Sequence, residues 1–311
     1  MRRWPILGCT VLAAAASGQT PTPTPTPDPD DLYALGQQIF DQVAPPEVKA
    51  QYDFPTREQW DGFARRLDRA LQGDSLEALA DLEPEARSAL PALRAIPGYE
   101  DYADWLEGRI DEIDAARQAV AQARRPALTP PPAQAAAPGV PLYGLWASRV
   151  HGRPLPRNAP ELMPRLRAAF AEEGVPPELA WLAEAESSLN PSARSPSGAA
   201  GLFQLMPETA HLLGLSTFLP DERTSPERAA HASAHYLRIL YGKLGSWPLA
   251  LAAYNAGEGR VRRALAERGA DTYAAIASSL PAETRMYVPK VCALVALRTG
   301  VVPGSLAPPR T

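Results

Sequence analysis

By residue type and spacing, Glu186 is the side chain of this sequence best placed to do chemistry. It ends an apolar stretch, ELAWLAEAES over 178–187, and a glycine-rich loop with a single glutamine, Gln204, follows it. A carboxyl on an apolar wall loses solvation, which raises its pKa. A raised pKa is what a general acid needs near neutral pH. The arrangement would present a protonated acid to an extended polar substrate. One competing constellation is visible: His231 and His235 stand four residues apart on an expected helix, the spacing of a two-histidine metal site. Position 232 is Ala where a zinc-protease motif has Glu, and no third ligand is evident, so no metal is expected. No phosphate loop, nucleophilic serine elbow or paired-cysteine site occurs.

The element that must hold Glu186 reads as a helix over 176–189. Pro176 and Pro177 suit a first turn, where a missing N–H costs nothing, and Glu178 suits the positive end of the helix dipole. At helical spacing Leu179, Leu182, Ala183 and Glu186 share one face, while Glu184 falls roughly opposite and is expected to face water. Asn190-Pro191 is expected to stop the helix.

Four blocks in order, across about half the chain, resemble the soluble lytic transglycosylase signature. Glu186-Ser187 with Asn190-Pro191 resembles its first half, and the run from Ser195 through Gly198, Gly201 and Gln204 to Pro207 its second. Ala253-Tyr254-Asn255-Ala256-Gly257 resembles the family's Ala-Tyr-Asn-Ala-Gly block, and Glu283-Thr-Arg-Met-Tyr287-Val288 its Glu-Thr-Arg-x-Tyr-Val block. The likeness is nearest to the membrane-bound D type. It implies a lysozyme-like catalytic domain that cuts the β-1,4 bond between N-acetylmuramic acid and N-acetylglucosamine in peptidoglycan without water, leaving a 1,6-anhydro ring. One glutamate, here Glu186, would act as acid and then as base, where most glycosidases use two carboxylates. No cofactor is implied.

On that resemblance the remaining residues receive expected roles. Gly198 and Gly201 would allow positive φ and close approach of a sugar to the backbone. Ser195 and Gln204 would hydrogen-bond the N-acetyl group or ring substituents, and Ser187 would cap or orient. Tyr254 would stack on a sugar or donate towards Glu186, and Asn255 would hold its loop or touch substrate. Glu283 would contact sugar, and Tyr287 would fill the groove wall. Two alternatives stay open: a lysozyme-type muramidase, for which Asp221 is a candidate second carboxylate, and a non-catalytic scaffold that binds glycan strands.

The rest of the chain fits that destination. Arg2 and Arg3 precede a short apolar run closed by Ser17 and Gly18, so residues 1–18 read as a cleaved signal peptide and the protein as exported to the cell envelope. Ile6-Leu7-Gly8-Cys9 resembles a lipobox, but the apolar run continues past Cys9, so cleavage is expected rather than a lipid anchor. Peripheral attachment to membrane or wall stays open, and no protein partner is indicated. Residues 19–30 alternate Thr and Pro, an extended spacer. Residues 31–123 read as a helical accessory domain, 124–140 as a Pro/Ala-rich linker, 141–300 as the catalytic domain and 301–311 as a tail. The fold class is mainly α. Accessory helices are expected near 56–71, 76–82, 86–93 and 99–123, and catalytic ones near 159–173, 176–189, 207–213, 226–244, 247–256, 259–267, 273–279 and 283–298. A net charge of −4 argues against capture of nucleic acid.

Overall fold

The computed structural model describes residues 57–95, 100–124 and 139–310. The expected signal segment with Cys9, the Thr/Pro spacer and most of the 124–140 linker lie outside them. Within the described residues the chain is mainly α and no strand forms. Two isolated bridges, Arg194 with Ala200 and Ala200 with Leu205, fold the glycine-rich loop onto itself.

Among the described residues four helices come first: α1 (Arg57–Gln72), α2 (Leu76–Ala80), α3 (Glu83–Ala95) and α4 (Glu100–Arg124). Each follows its apolar period. The first buries Phe63, Leu67 and Leu71, and the fourth buries Ala103, Leu106, Ile110 and Ile113. Ser75 starts α2 by accepting a hydrogen bond from Ala78 N. A helix absent from the sequence reading, α5 (Tyr143–Val150), comes next. It begins without a side-chain cap at Leu142, whose φ is 65°, so the usual start signal is missing. Then follow α6 (Ala159–Glu172), α7 (Leu182–Ser187), α8 (Pro207–Leu212), α9 (Pro226–Leu244), α10 (Trp247–Ala256), α11 (Glu258–Arg268), α12 (Tyr273–Ile276) and α13 (Ala282–Thr299).

The segment that carries Glu186 departs from expectation. Pro177–Trp181 winds as a 3-10 turn, and only α7 is α-helical. The helix ends before Asn190, because Ser188 and Leu189 both take left-handed φ, 53° and 61°. Ser188 N bonds to Glu184 O at 3.1 Å and Leu189 N reaches six residues back to Ala183 O at 3.3 Å, so the two left-handed residues still satisfy the last carbonyls of the helix. That stop turns Leu189 fully into the core.

Glu184 is a correction. It does not face water: its carboxylate is almost fully buried and pairs with Arg298, with Nη2 2.7 Å from Oε1 and Nε 2.8 Å from Oε2. A helical wheel places residues around one axis and says nothing of what covers each side. Here α13 lies against α7 and brings in a residue 114 positions away. Arg298→Met is expected to cost about 3–5 kcal/mol, because it strands a buried carboxylate. Urea midpoints measure this, and the double variant Glu184→Gln with Arg298→Met should recover part of the loss.

The core has two apolar clusters that share one beam. The larger gathers Leu166, Phe170, Leu179, Phe203, Leu237 and Trp247. The smaller gathers Leu67, Leu79, Leu106 and Ile113 from α1, α2 and α4 with Trp146 of α5. Helix α13 enters both, giving Val288, Val291, Cys292 and Val295 to the first and Met286, Ala293 and Leu294 to the second. Residues 57–124 therefore complete their core with residues beyond the linker. Polar contacts add to the join: Ala282 N bonds to Gly73 O at 2.6 Å, and Arg285 donates to Asp74 O. The last described residues also pack down. Trp247 Nε1 donates to Ala307 O, and Arg310 N donates to Gly174 O.

Candidate active site

Glu186 opens into a cavity of about 430 Å3, within the size range of small-ligand sites. Glu186, Ser187 and Gln204 line one side, and Trp105, Gly108 and Arg109 of α4 line the other.

One oxygen of Glu186 accepts a hydrogen bond from the Tyr287 hydroxyl at 2.5 Å. Tyr287 is buried in α13, so the donor sits on a rigid helix. Burial pushes the Glu186 carboxyl up to about 7, against the Tyr287 hydrogen bond and the cations of Arg109 and Lys290, which favour the ionised form. The nearby charge of Glu283 adds to the rise. A raised value of this kind keeps protonated Glu186 present near neutral pH.

A charge network stands behind it. Arg109 lies 2.7 Å from Glu112 and 2.8 Å from Glu283, and Lys290 donates to Glu112 at 3.1 Å. Glu112 and Lys290 are buried, and Lys290 also lies 5.8 Å from the ring centre of Trp146. Asp111 pairs with Arg149 and Arg153; burial pushes its carboxyl up, but the charge of Lys290 and these two cations hold it below the usual carboxylate range. The carboxylates that line the cavity with Glu186 are therefore committed to cations: Glu184 to Arg298, Glu112 to Arg109 and Lys290, Asp111 to Arg149 and Arg153, and the more exposed Asp104 and Glu107 to Arg94.

The residues singled out from sequence fall in three places. Ser187 and Gln204 line the cavity with Glu186. The Ser187 hydroxyl bonds to Ala183 O and Leu202 O, tying α7 to the glycine-rich loop. Gln204 stands at φ 44°, its amide nitrogen donating to Gly201 O at 2.9 Å and Ala193 O at 3.3 Å.

Tyr287 and Tyr254 divide the work otherwise than expected. Tyr287, expected as groove wall, donates to Glu186. The Tyr254 hydroxyl donates to Phe203 O at 2.9 Å and lies 3.2 Å from Ser233 Oγ, while its ring packs beside Tyr236.

The rest hold the frame. Ser195 Oγ accepts from Ala199 N inside its own loop. Asn255 accepts from Thr284 at 2.7 Å, linking two of the sequence blocks. Glu283 is taken by Arg109 and by Gln72 of α1. The backbone that approaches Gly201, whose φ is 80°, is the protein's own: a Cβ there would lie 1.9 Å from Arg223 O. Burial pushes Asp221 up, yet Arg223 holds it below the usual range, with Nη2 and Oδ2 2.8 Å apart. His231 and His235 both approach Glu173, and Arg238 also lies on that carboxylate. Among the described residues, no group of three or more His, Cys, Asp or Glu side chains is arranged to hold a metal ion.

Sequence reasoning missed Arg109, Glu112 and Lys290. A signal for two of them existed. Glu112 continues the stripe Trp105–Arg109–Glu112–Ala116 next to buried Ile113, and Lys290 interrupts the apolar run of α13 between Val288 and Val291. A charge in the register of a packed face implies a buried partner.

A helical fold with one hydrogen-bonded acid on a ligand-sized cavity is the setting in which the comparisons fall. Residues 165–276, which include α7 and the glycine-rich loop, match the family model of the transglycosylase SLT domain. Over 127 residues the chain is 37% identical to the membrane-bound lytic murein transglycosylase D of Escherichia coli strain K12, covering 40% of this chain and 28% of that protein. Over 120 residues it is 40% identical to the soluble lytic murein transglycosylase of Salmonella typhimurium strain LT2, covering 36% of this chain and 19% of that one. The matched stretch is thus less than a third of either relative's length. A crystal structure of the 70 kDa soluble lytic transglycosylase from Escherichia coli overlaps 87% of this chain and 57% of its own, at a TM-score of 0.40 and 19% identity.

Proposed function

We propose that this protein is a peptidoglycan lytic transglycosylase. Protonated Glu186 gives its proton to the glycosidic oxygen as the bond from that oxygen to C1 of N-acetylmuramic acid breaks. The resulting carboxylate then takes the proton of the C6 hydroxyl, whose oxygen bonds to C1 and closes the 1,6-anhydro ring. Glu186 ends the turnover protonated again, and no water is consumed. The observation that carries this reading is a single carboxyl with its pKa raised to about 7, hydrogen-bonded by Tyr287 on a cavity within the SLT domain match. The pairing of Glu184, Glu112, Asp111, Asp104 and Glu107 with cations favours it over a hydrolase, which needs a second carboxylate free to activate water. The names of the relatives supply the murein substrate.

The binding roles follow as part of the same proposal. Gln204 and Ser187 meet the sugar nearest the scissile bond, while Tyr254, Asn255, Ser195 and Gly201 hold the loops that present them. Glu283 acts through Arg109 rather than by touching sugar. Export through a cleaved signal and a Thr/Pro spacer would place the enzyme in the cell envelope, in keeping with relatives named for murein.

Mass spectrometry of the products from purified peptidoglycan tests the reading. Anhydromuramic ends support it, whereas reducing, hydrated ends mean a muramidase, and no cleavage with retained glycan binding means a scaffold. Tyr287→Phe adds a second check. Losing the hydroxyl removes an interaction that favours the ionised carboxyl, so the Glu186 pKa rises further. Turnover at neutral pH is expected to fall roughly tenfold from lost orientation, while the alkaline limb of the pH–rate profile moves upward. A limb that moves downward, or stays, would mean that the hydrogen bond plays no part in the acid's titration.

A further inference from the structure

The far wall of the cavity is built by α4, a helix outside the 165–276 domain match. Trp105, Gly108, Arg109 and Glu112 lie three, four and seven residues apart and so form one stripe of that helix. Gly108 stands out within it. A glycine well inside a helix of 25 residues weakens it by about 1 kcal/mol relative to Ala. A packing reason is lacking, because a Cβ added at Gly108 meets no atom within 4 Å. The space the missing side chain leaves belongs to the cavity. Beside it the Trp105 ring, partly exposed, packs on the second core cluster and lies 5.6 Å from the Arg109 guanidinium carbon, which is fixed by Glu112 and Glu283. The wall thus sets the Trp105 ring beside an open stretch of helix backbone, with the carboxylates of Asp104, Glu107, Asp111 and Glu112 also lining the cavity around it.

From this geometry we infer that α4 forms a carbohydrate subsite: an N-acetylhexosamine ring of the glycan strand lies over Gly108 with one edge against Trp105. A pyranose chair presents C–H groups on its faces, which can lie against bare helix backbone and apolar ring surface, while its hydroxyl and N-acetyl N–H groups can donate to the carboxylates beside Gly108. The subsite rests on the proposed glycan substrate but not on the acid chemistry of Glu186. It gives residues 57–124 a direct part in substrate recognition.

The test fills the space. Gly108→Leu, placed in the full chain with Glu186→Gln to prevent turnover, is compared with Glu186→Gln alone for binding of the N-acetylglucosamine tetramer by calorimetry. The expected result is an affinity at least tenfold weaker, together with a melting temperature about 2 °C higher, because Leu is the better helix former. A merely structural role for Gly108 would lower both together. Gln118→Leu, on an exposed part of α4 away from the cavity, should leave binding unchanged. Unchanged affinity in Gly108→Leu, no measurable affinity in the parent, or a loss of affinity that comes with a lower melting temperature and is not reproduced by the smaller Gly108→Ser overturns the subsite. Weakened binding in Gly108→Leu alongside a protein that releases no anhydro ends from peptidoglycan keeps the subsite and overturns the catalytic reading instead.

Discussion

Glu186→Gln is expected to lower the release of anhydromuramic ends by about ten-thousandfold while leaving the fold intact. General acid–base catalysis by a positioned side chain contributes about 10²- to 10⁴-fold, and here one group serves both proton transfers. Gln keeps the shape and can still accept the Tyr287 hydrogen bond, but it cannot give up a proton to the leaving oxygen. The pH dependence follows from the same group. The acid must start protonated, so activity should fall as pH rises through about 7.

The variant also has a stability signature of opposite sign. The Glu186 pKa is about 7 in the folded protein against an ordinary 4.5, so the folded state binds the proton more tightly than the unfolded chain. Its favourable contribution is present below pH 4.5 and is lost as pH rises through 7. Gln carries no such dependence. With part of the shift discounted for solvent reaching the cavity mouth, Glu186→Gln should be more stable than the parent by about 1–3 kcal/mol at pH 8. The gap should narrow towards pH 5. Urea midpoints at the two pH values decide it: equal midpoints at both would mean that the carboxyl is not desolvated and that the acid role loses its physical basis.

Gly201→Ala is expected to be the most damaging single change to the fold near the site, at about 3–5 kcal/mol. Two causes add. At φ 80° a Cβ-bearing residue is strained by about 1–2 kcal/mol. The added carbon would also lie 1.9 Å from Arg223 O and 2.8 Å from its carbonyl carbon, so backbone must move. Neither side yields easily. Arg223 is buried, donates to Gly198 O at 2.7 Å and Leu205 O at 3.0 Å, and is held by Asp221. Thermal unfolding should show a fall of several degrees. Activity should fall further than the lost stability explains, because Gln204 hydrogen-bonds to Gly201 O and would be displaced from the cavity. A melting temperature equal to the parent's would mean that the loop is far softer than its clamp implies.

Much was legible from sequence because it depends on local order. Apolar period and start signals placed α1, α4, α9, α10 and α13 within a residue or two, since a helix's buried face is written every three to four residues. The shared face of Glu186 and Leu182 was enough to expect a desolvated acid, and burial does raise its pKa. Where local signals were weak the reading failed: α5 has no cap, and 176–189 is divided by a 3-10 turn and a left-handed stop that carries no glycine. What surrounds Glu186 was decided by tertiary structure alone. The choice of Tyr287 over Tyr254 as its partner, the burial of Glu184 against Arg298, and the approach of α4 with Arg109 and Gly108 join residues 77 to 114 positions apart, the last of them across the linker. These pairings follow from α13 passing through both cores. A periodicity names the face that is covered, but only packing names what covers it.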